Sequence, residues 1–368
     1  MKILYVPVAS PETLQGKDAL DYQSDTVFYG LKKLFGDDVV DAIRLWFMYK
    51  KDKLERPENF EKLWGKAFTC YGLLGDDSKV DREDIGSKIF NHFFDFIILP
   101  VHWSASDGEE ENKPGIHQFL DQILRFYPPS RVALIDGWDR QDVDLSISRK
   151  CVYFKRELSD RYKNEAFPIS FSVPLEKIRE SSSEKSIDFA PLIPSPNHLD
   201  TYIYDDEKSY YDDYNKSYFA FTSKKGRMDD LNNGWDCLRH YEIMAADCIP
   251  FFTNIEQCPQ YTLYSFPKDL CVEAKKLPGV YPGIEDCPPR PEWYERYQAV
   301  KNPKEDVYIG PSTKILHGEL RGRIDFDKFD RTSYLDLKHR FREHLLKHLT
   351  CEQVATKLIN TMIRINAD

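Results

Sequence analysis

Trp235-Asp236-Cys237-Leu238-Arg239-His240-Tyr241-Glu242-Ile243-Met244-Ala245-Ala246-Asp247-Cys248-Ile249-Pro250-Phe251-Phe252 is the stretch on which the fold of this chain turns. Its spacing predicts a helix that stops at Asp247 and passes straight into a strand. Leu238, Tyr241, Ala245 and Ala246 fall close to one helical face, and Ile249, Phe251 and Phe252 make a buried strand start. Arg239, His240 and Glu242 share one turn. Such a turn is ordinarily the solvated face of an amphipathic helix, with salt bridges of little worth. Its flanks argue for more.

Upstream, Tyr218-Phe219-Ala220-Phe221-Thr222-Ser223 has the composition of a strand, and Lys224-Lys225-Gly226-Arg227 follows it. The predicted order is strand, basic glycine-containing loop, helix, strand. In an open α/β sheet, ligands bind outside the carboxyl ends of the strands, beside helix N-termini. Lys224, Lys225 and Arg227 would converge there with the helix start on an anion, most simply a diphosphate. Thr222 and Ser223 would add donors. Glu242, further into the helix, would accept from the two vicinal hydroxyls of a ribose.

The run from Phe219 to Pro267 resembles glycosyltransferases of the GT-B fold, closest to exostosin-like and related viral and bacterial enzymes. The resemblance rests on Arg239-His240-Tyr241-Glu242 followed by Cys248-Ile249-Pro250. Tyr153-Phe154-Lys155-Arg156-Glu157-Leu158 and Phe189-Ala190-Pro191-Leu192-Ile193-Pro194 add to it. It implies an α/β protein of two Rossmann-like domains facing across a cleft. An acceptor-side domain would span 1–180 and a nucleotide-sugar donor domain 187–368, with the last helix crossing back onto the first. It implies that Glu242 holds the nucleotide ribose and Arg239 serves the same donor site. The chain departs from the pattern at Gly234, where many such enzymes carry a second glutamate, and at Asp247, where the turn has glycine.

The chain is long enough for two cores at 368 residues, and its formal net charge of −10 argues against a general nucleic-acid binder. The 8 cysteines include no C-x-x-C pair, so zinc-ribbon spacing is absent. Cys237, Cys248 and Cys271 read as reduced, buried thiols. Residues 1–8 read as a strand rather than a signal sequence, and no apolar run is long enough for a membrane span. The expected location is the cytoplasm, the host's if the chain is viral.

From the N-terminus, strands are predicted at 2–8, 39–45, 94–100, 132–135 and 151–154, with a further one at 169–173. Helices are predicted at 25–35, capped by Asp25 with Val27, Leu31 and Leu34 on one face, and at 81–94 and 114–126. Residues 46–80 show no clear pattern. The polar segment 180–186 reads as an interdomain linker. Beyond it come a strand at 188–193, helices at 206–216, 267–276 and 333–349, and a last helix opened by the capping box Thr350-Cys351-Glu352-Gln353. The alternation argues for parallel, doubly wound sheets.

Sugar transfer with inversion needs a general base near the acceptor; a retaining enzyme relies mainly on stabilising the leaving diphosphate. His102, Asp107, Asp136 and Asp139 follow buried strands and qualify by position, although such residues are commonly turn or capping groups. Lys155 and Arg156 would contact the diphosphate or an acidic acceptor, or else pair with Glu157 and nearby acids. No cofactor and no metal is expected, the nucleotide-diphospho-sugar being substrate and a glycan or glycoconjugate the acceptor. Two alternatives stand beside this. Asp142-Val143-Asp144 is a D-x-D that could hold a divalent cation in a GT-A type transferase, and a GT-B scaffold could bind glycan or nucleotide without turnover. A metallophosphoesterase built on His198, Asp205, Asp206 and His240 lacks a dense ligand motif.

Overall fold

A computed structural model of the chain describes residues 1–7, 21–60, 63, 68–101, 116–181, 184–190, 206–222, 234–252, 254–281 and 322–367. The chain forms two compact units. The first comprises Met1–Pro174, Pro259–Ser265 and His348–Asp368, the second Leu175–Cys258 and Phe266–Lys347.

In the first unit β1 (Ile3–Tyr5), β2 (Val39–Asp41), β3 (Phe96–Val101), β4 (Val132–Asp136), β5 (Val152–Lys155) and β6 (Phe167–Pro168) form one sheet in the order β2-β1-β3-β4-β5-β6. Every pairing is parallel, with Ile3 opposite both Val39 and Phe96. Side chains alternate between the sheet's two faces. Ile3, Tyr5, Ile98, Ile135 and Phe154 enter one core, and Leu4, Val6, Ile97, Leu99 and Leu134 enter the other. Burial on both faces explains why these strands read as continuous apolar runs. The strand order reverses between β1 and β3, the place where doubly wound sheets bind ligands.

Helix α1 (Tyr22–Phe35) follows β1. Its cap is Asp21, whose carboxylate accepts from the N–H groups of Gln23 and Ser24 at 3.1 and 3.3 Å. Asp25, predicted as the cap, lies inside the first turn and is buried. Val27 and Leu31 are buried as expected, but Leu34 is 40% exposed. Gly36 ends the helix with φ 56°, a left-handed conformation that glycine adopts without penalty. The predicted helix at 81–94 shortens to α2 (Ile85–Phe90). Asp81 accepts from the N–H of Glu83, a local bond that competes with helix, and Asp84 has φ 48°. The strand predicted at 39–45 ends at Asp41, whose carboxylate accepts from Leu45 N–H at 2.9 Å. At 169–173, Ile169 donates to Lys155 O and Val173 bridges Thr350, without a continuous strand. Helix α3 (Ile116–Ile123) places Leu120 and Ile123 in the second core.

The second unit has a parallel sheet β7 (Ile187–Ala190), β8 (Ser217–Phe221), β9 (Ile249–Phe251) in that order, and an antiparallel pair, β10 (Val280–Tyr281) with β11 (Arg323–Ile324). Phe189 stacks on Phe219 and Phe221, and Phe251 meets all three rings edge-on, with centroids 4.6–5.7 Å apart. Its described residues also form helices α4 (Glu207–Lys216), α5 (Leu238–Ala245), α6 (Lys268–Ala274) and α7 (Arg331–His348). Arg340 on α7 grips Glu273 on α6 with two bonds of 2.6 and 2.7 Å.

The last helix, α8 (Cys351–Ala367), belongs to the first unit. It buries Cys351, Val354, Ala355, Leu358, Ile359 and Met362 in the same core as Val27, Phe28 and Leu31 of α1. Its large aliphatic side chains contribute about 1.5–3 kcal/mol each on burial, before the entropy of ordering is subtracted. No helix among the described residues is long and apolar enough to cross a membrane.

Candidate functional site

The second unit's sheet and α5 bring together part of what the sequence singles out. Helix α5 begins at Leu238, close in the chain to the carboxyl edge where β8 ends, and runs back to β9. Apart from half-buried Arg239, all its residues are buried, so the alternative of a solvated charged face does not describe this helix. His240 is fully buried. Its Nε2–H donates to the carbonyl of Trp235 at 2.9 Å, since a carbonyl can only accept. In the neutral ring Nδ1 then accepts from the Thr222 hydroxyl at the end of β8. His240 thereby pins the segment leading into α5 to the end of β8. Glu242 is 7% exposed, and its Oε2 accepts from the Tyr210 hydroxyl of α4. Buried Asp236 accepts from Tyr241 OH at 3.1 Å. Cys237, expected to be buried, caps α5 by position and is half-exposed, with Sγ 3.5 and 3.6 Å from the His240 ring nitrogens.

In the first unit the carboxyl ends of β4 and β5 carry a run of buried charges. Asp136 receives Tyr153 OH at 2.7 Å, Lys155 Nζ at 2.8 Å and Trp138 N–H at 2.9 Å. Arg156 donates twice to the Gly137 carbonyl, pairs with Glu157 at 3.1 Å and with Asp139, and lies over the Phe171 ring. Lys155 and Arg156 are 1% and 2% exposed, so of their two expected roles the structure displays the internal pairing. Asp21 also reaches this end. A Cβ on Gly137 would stand 2.7 Å from its carboxylate.

Two polar clusters at this end were not legible in the sequence. At the start of α1, Tyr5 OH donates to the Ser24 carbonyl at 2.7 Å, Tyr71 OH donates to Asp25 Oδ2 at 2.8 Å, and Gln23 Nε2 donates to the Ser170 carbonyl at 3.1 Å. After β2, Asp41, Asp52 and Asp77 interlock with Arg44 and Arg82. The partners lie 5 to 147 residues apart, most of them beyond the reach of any local pattern.

Burial pushes the Asp25 carboxyl well above its ordinary 3.8; the Tyr71 hydroxyl pulls it partly back and nearby Asp21 pushes it up again. A carboxyl raised on folding stabilises fully below its unfolded value, and that contribution is lost as pH rises through the folded value. Asp25→Asn keeps an acceptor for Tyr71 without a charge. The variant is expected to match the parent near pH 3.5 and to exceed it in urea midpoint at pH 7 to 8. Identical pH slopes for the two proteins would remove Asp25 as the source.

Ser223, Lys224, Lys225 and Arg227 lie outside the described residues, as do His102, Asp107, His198 and Asp205. Of the D-x-D residues, Asp142 pairs with Arg140 at 3.3 Å, and Asp144 caps a short helix by accepting from Ser146 N–H at 2.8 Å and Ile147 N–H at 3.2 Å. Among the described residues, no three His, Cys, Asp or Glu are grouped to hold a metal ion. Cys248 and Cys151 are held as thiols, burial pushing each up to about 12.

No protein-family model matches the chain, and a search of curated proteins returns no match.

Proposed function

We propose that the chain is a glycosyltransferase that moves a sugar from a nucleotide-diphospho-sugar to a hydroxyl of a glycan or glycoconjugate, in the cytoplasm. One observation supports this most: the parallel β8–α5–β9 unit, in which Thr222 and buried His240 fasten the entry of α5 to the carboxyl end of β8. That sheet end, beside a helix start, is where an α/β protein takes an anion. The sequence that connects Thr222 to Gly234 carries Lys224, Lys225 and Arg227, cations suited to a diphosphate. Glu242 would accept from the ribose, oriented by Tyr210, with Arg239 on the same turn.

In this proposal the second unit holds the donor and the first the acceptor. Asp136 already accepts from three donors, which suits it to positioning. The base is therefore assigned to the segment that follows β3 in sequence, where His102 and Asp107 lie. The departing diphosphate is stabilised by the basic segment and the helix start.

The test is a thermal-shift panel of UDP, GDP, TDP and CDP with their common sugars, each with and without EDTA. A ligand that binds only the folded state raises Tm by mass action. One nucleotide family is expected to raise Tm regardless of EDTA, and Glu242→Gln to weaken that binding at least tenfold. A shift abolished by EDTA and restored by Mn²⁺ would transfer the site to the Asp142/Asp144 reading. A panel with no shift, in a protein that still binds glycan, would leave a non-catalytic scaffold. The pairing of Asp136, Lys155 and Arg156 with their own neighbours favours that second reading.

A further inference from the structure

Most apolar side chains of the first unit are buried, but four phenylalanines stand out. Phe90 at the end of α2 is 63% exposed, Phe93 is 41%, Phe126 is 37% and Phe119 is 36%. Apart from Phe326, these are the only exposed phenylalanines among the described residues. The Phe90 and Phe126 rings meet edge to face, with centroids 5.6 Å apart. Phe119 lies seven residues before Phe126, two turns back along the same side of α3. Phe93 follows Phe90 by three residues, whereas its neighbour Phe94 is buried in the second core. The two segments are tied together, since the Phe94 N–H donates to Tyr127 OH at 3.1 Å. Phe93 precedes β3 and Phe126 precedes β4, so the patch lies at the amino ends of these strands, opposite the carboxyl ends assigned to substrate.

The exposed parts of the four rings come to roughly 350 Å² of apolar surface, at about 200 Å² for a whole aromatic side chain. Single exposed apolar residues need no explanation, whereas a patch of this size is the usual mark of a contact site. A stable protein interface takes about 800 Å² per partner, with an apolar, aromatic centre and a polar rim. The four rings supply such a centre, and the charge around them is balanced. Lys2 and Lys88 lie over the Phe93 ring, 4.9 and 5.8 Å from its centroid. Each has its own carboxylate, Lys2 with Asp38 at 3.0 Å and Lys88 with Asp81 at 2.7 Å. Arg125, next to Phe126, and Asp95, just beyond Phe93, add one charge of each sign. A chain of net charge −10 thus does not concentrate its excess on this face. A membrane surface would call for surplus cations, and a strongly charged partner for a surplus of the opposite sign. A balanced aromatic face suits a copy of itself, because a two-fold contact sets the same patch against itself.

We propose that two copies of the chain associate through this face, in an isologous contact centred on Phe90, Phe93 and Phe126. The rings would pack edge to face across the two-fold axis, and the Lys2–Asp38 and Lys88–Asp81 pairs would form the rim. The contact uses the opposite end of the first sheet from the substrate assignment and is independent of the glycosyltransferase reading.

The test is sedimentation velocity of the full chain over a concentration series. The mass is expected to pass from one chain to two with a midpoint of about 10 µM, the weak end for an interface of this size. The midpoint should change little with salt, because aromatic burial carries the contact and its charges are balanced. Phe90→Ser and Phe126→Ser should each weaken association at least tenfold. Phe90 is the more exposed of the two, so its variant keeps the test decisive if Phe126→Ser does not fold. Leu54→Ser is the control, 72% exposed and outside the patch, and should associate like the parent. Three results would each overturn the proposal: a single chain's mass throughout the series, association unchanged in folded Phe90→Ser or equally weakened in Leu54→Ser, or a monomer that binds vesicles of anionic phospholipid.

Discussion

Replacing Arg82 by methionine should cost the first unit about 3 kcal/mol, the low end of what breaking a buried ion pair costs. The Asp41 side chain has no exposure to solvent, whereas Arg82 is one-fifth exposed. Arg82 Nε donates to Asp41 Oδ1 at 2.9 Å, and its Nη2 is 2.6 Å from the same oxygen. Without the guanidinium, Asp41 keeps the Leu45 N–H, its own backbone N–H, a 3.4 Å contact from Tyr49 OH and the field of the Lys32 ammonium, none of which replaces a direct ion pair. The loss spreads because Arg82 also holds Asp77 at 2.9 Å, which Arg44 holds at 2.7 Å while gripping Asp52 with two bonds. These five residues tie the 44–82 excursion to the end of β2.

The pH dependence identifies the cause. Burial already pushes the Asp41 carboxyl up, with Leu45 N–H and Arg82 pulling it back, so removing Arg82 raises it further. Protonation then relieves the variant, and its deficit in urea midpoint should shrink between pH 7 and pH 5. Asp77 runs the other way in the parent. Burial pushes it up, but Arg44 and Arg82 together hold it below its ordinary value. Its contribution is present above pH 3.8 and lost as pH falls through the folded value. Adding Asp41→Asn to Arg82→Met should restore most of the stability at pH 7. A deficit that is equal at both pH values, or not reduced in the double variant, would count against an unpaired Asp41.

The second large effect is steric. A methyl group at Gly30 of α1 would collide with the backbone carbonyl of Cys351 at the start of α8 and stand 3.0 Å from Ala355 Cβ. A backbone carbonyl cannot swing aside as a side chain can, so α8 must shift and unpack from its core. Overpacking of this kind costs about 3 kcal/mol. The better helix propensity of alanine returns about 1 kcal/mol. Gly30→Ala should therefore lose about 2 kcal/mol net and melt roughly 4–8 °C lower. Gly86→Ala in α2 is the control, with nothing within 4 Å and no positive φ, and it should gain up to about 1 kcal/mol. If Gly30→Ala melted no lower than the control, the close approach of the helices would not be limiting.

Much of the architecture was legible because it rests on local regularities. The apolar runs of β3, β4 and β5, the helix stop at Gly36 and the turn from α5 into β9 all follow from short-range sequence. Burial of a strand or one helical stripe dictates a period, and a period can be read without knowing the partner. Boundaries moved where a side chain took a backbone bond, as at Asp21, Asp41 and Asp81.

The fate of each charge was decided by the tertiary structure alone. Arg239, His240 and Glu242 looked alike as members of one polar turn. Folding left Arg239 half-exposed, fixed His240 between Thr222 and Trp235, and buried Glu242 against Tyr210. Lys338 meets Asp247 across 91 residues and Tyr71 meets Asp25 across 46. A charge interaction depends on separation and local dielectric, both set by which distant segments pack together. The sequence by itself therefore determined where strands and most helices form, because periodicity and capping act within a few residues. Which ionisable groups are paired, buried or turned toward a cavity was set only once the chain had closed around them.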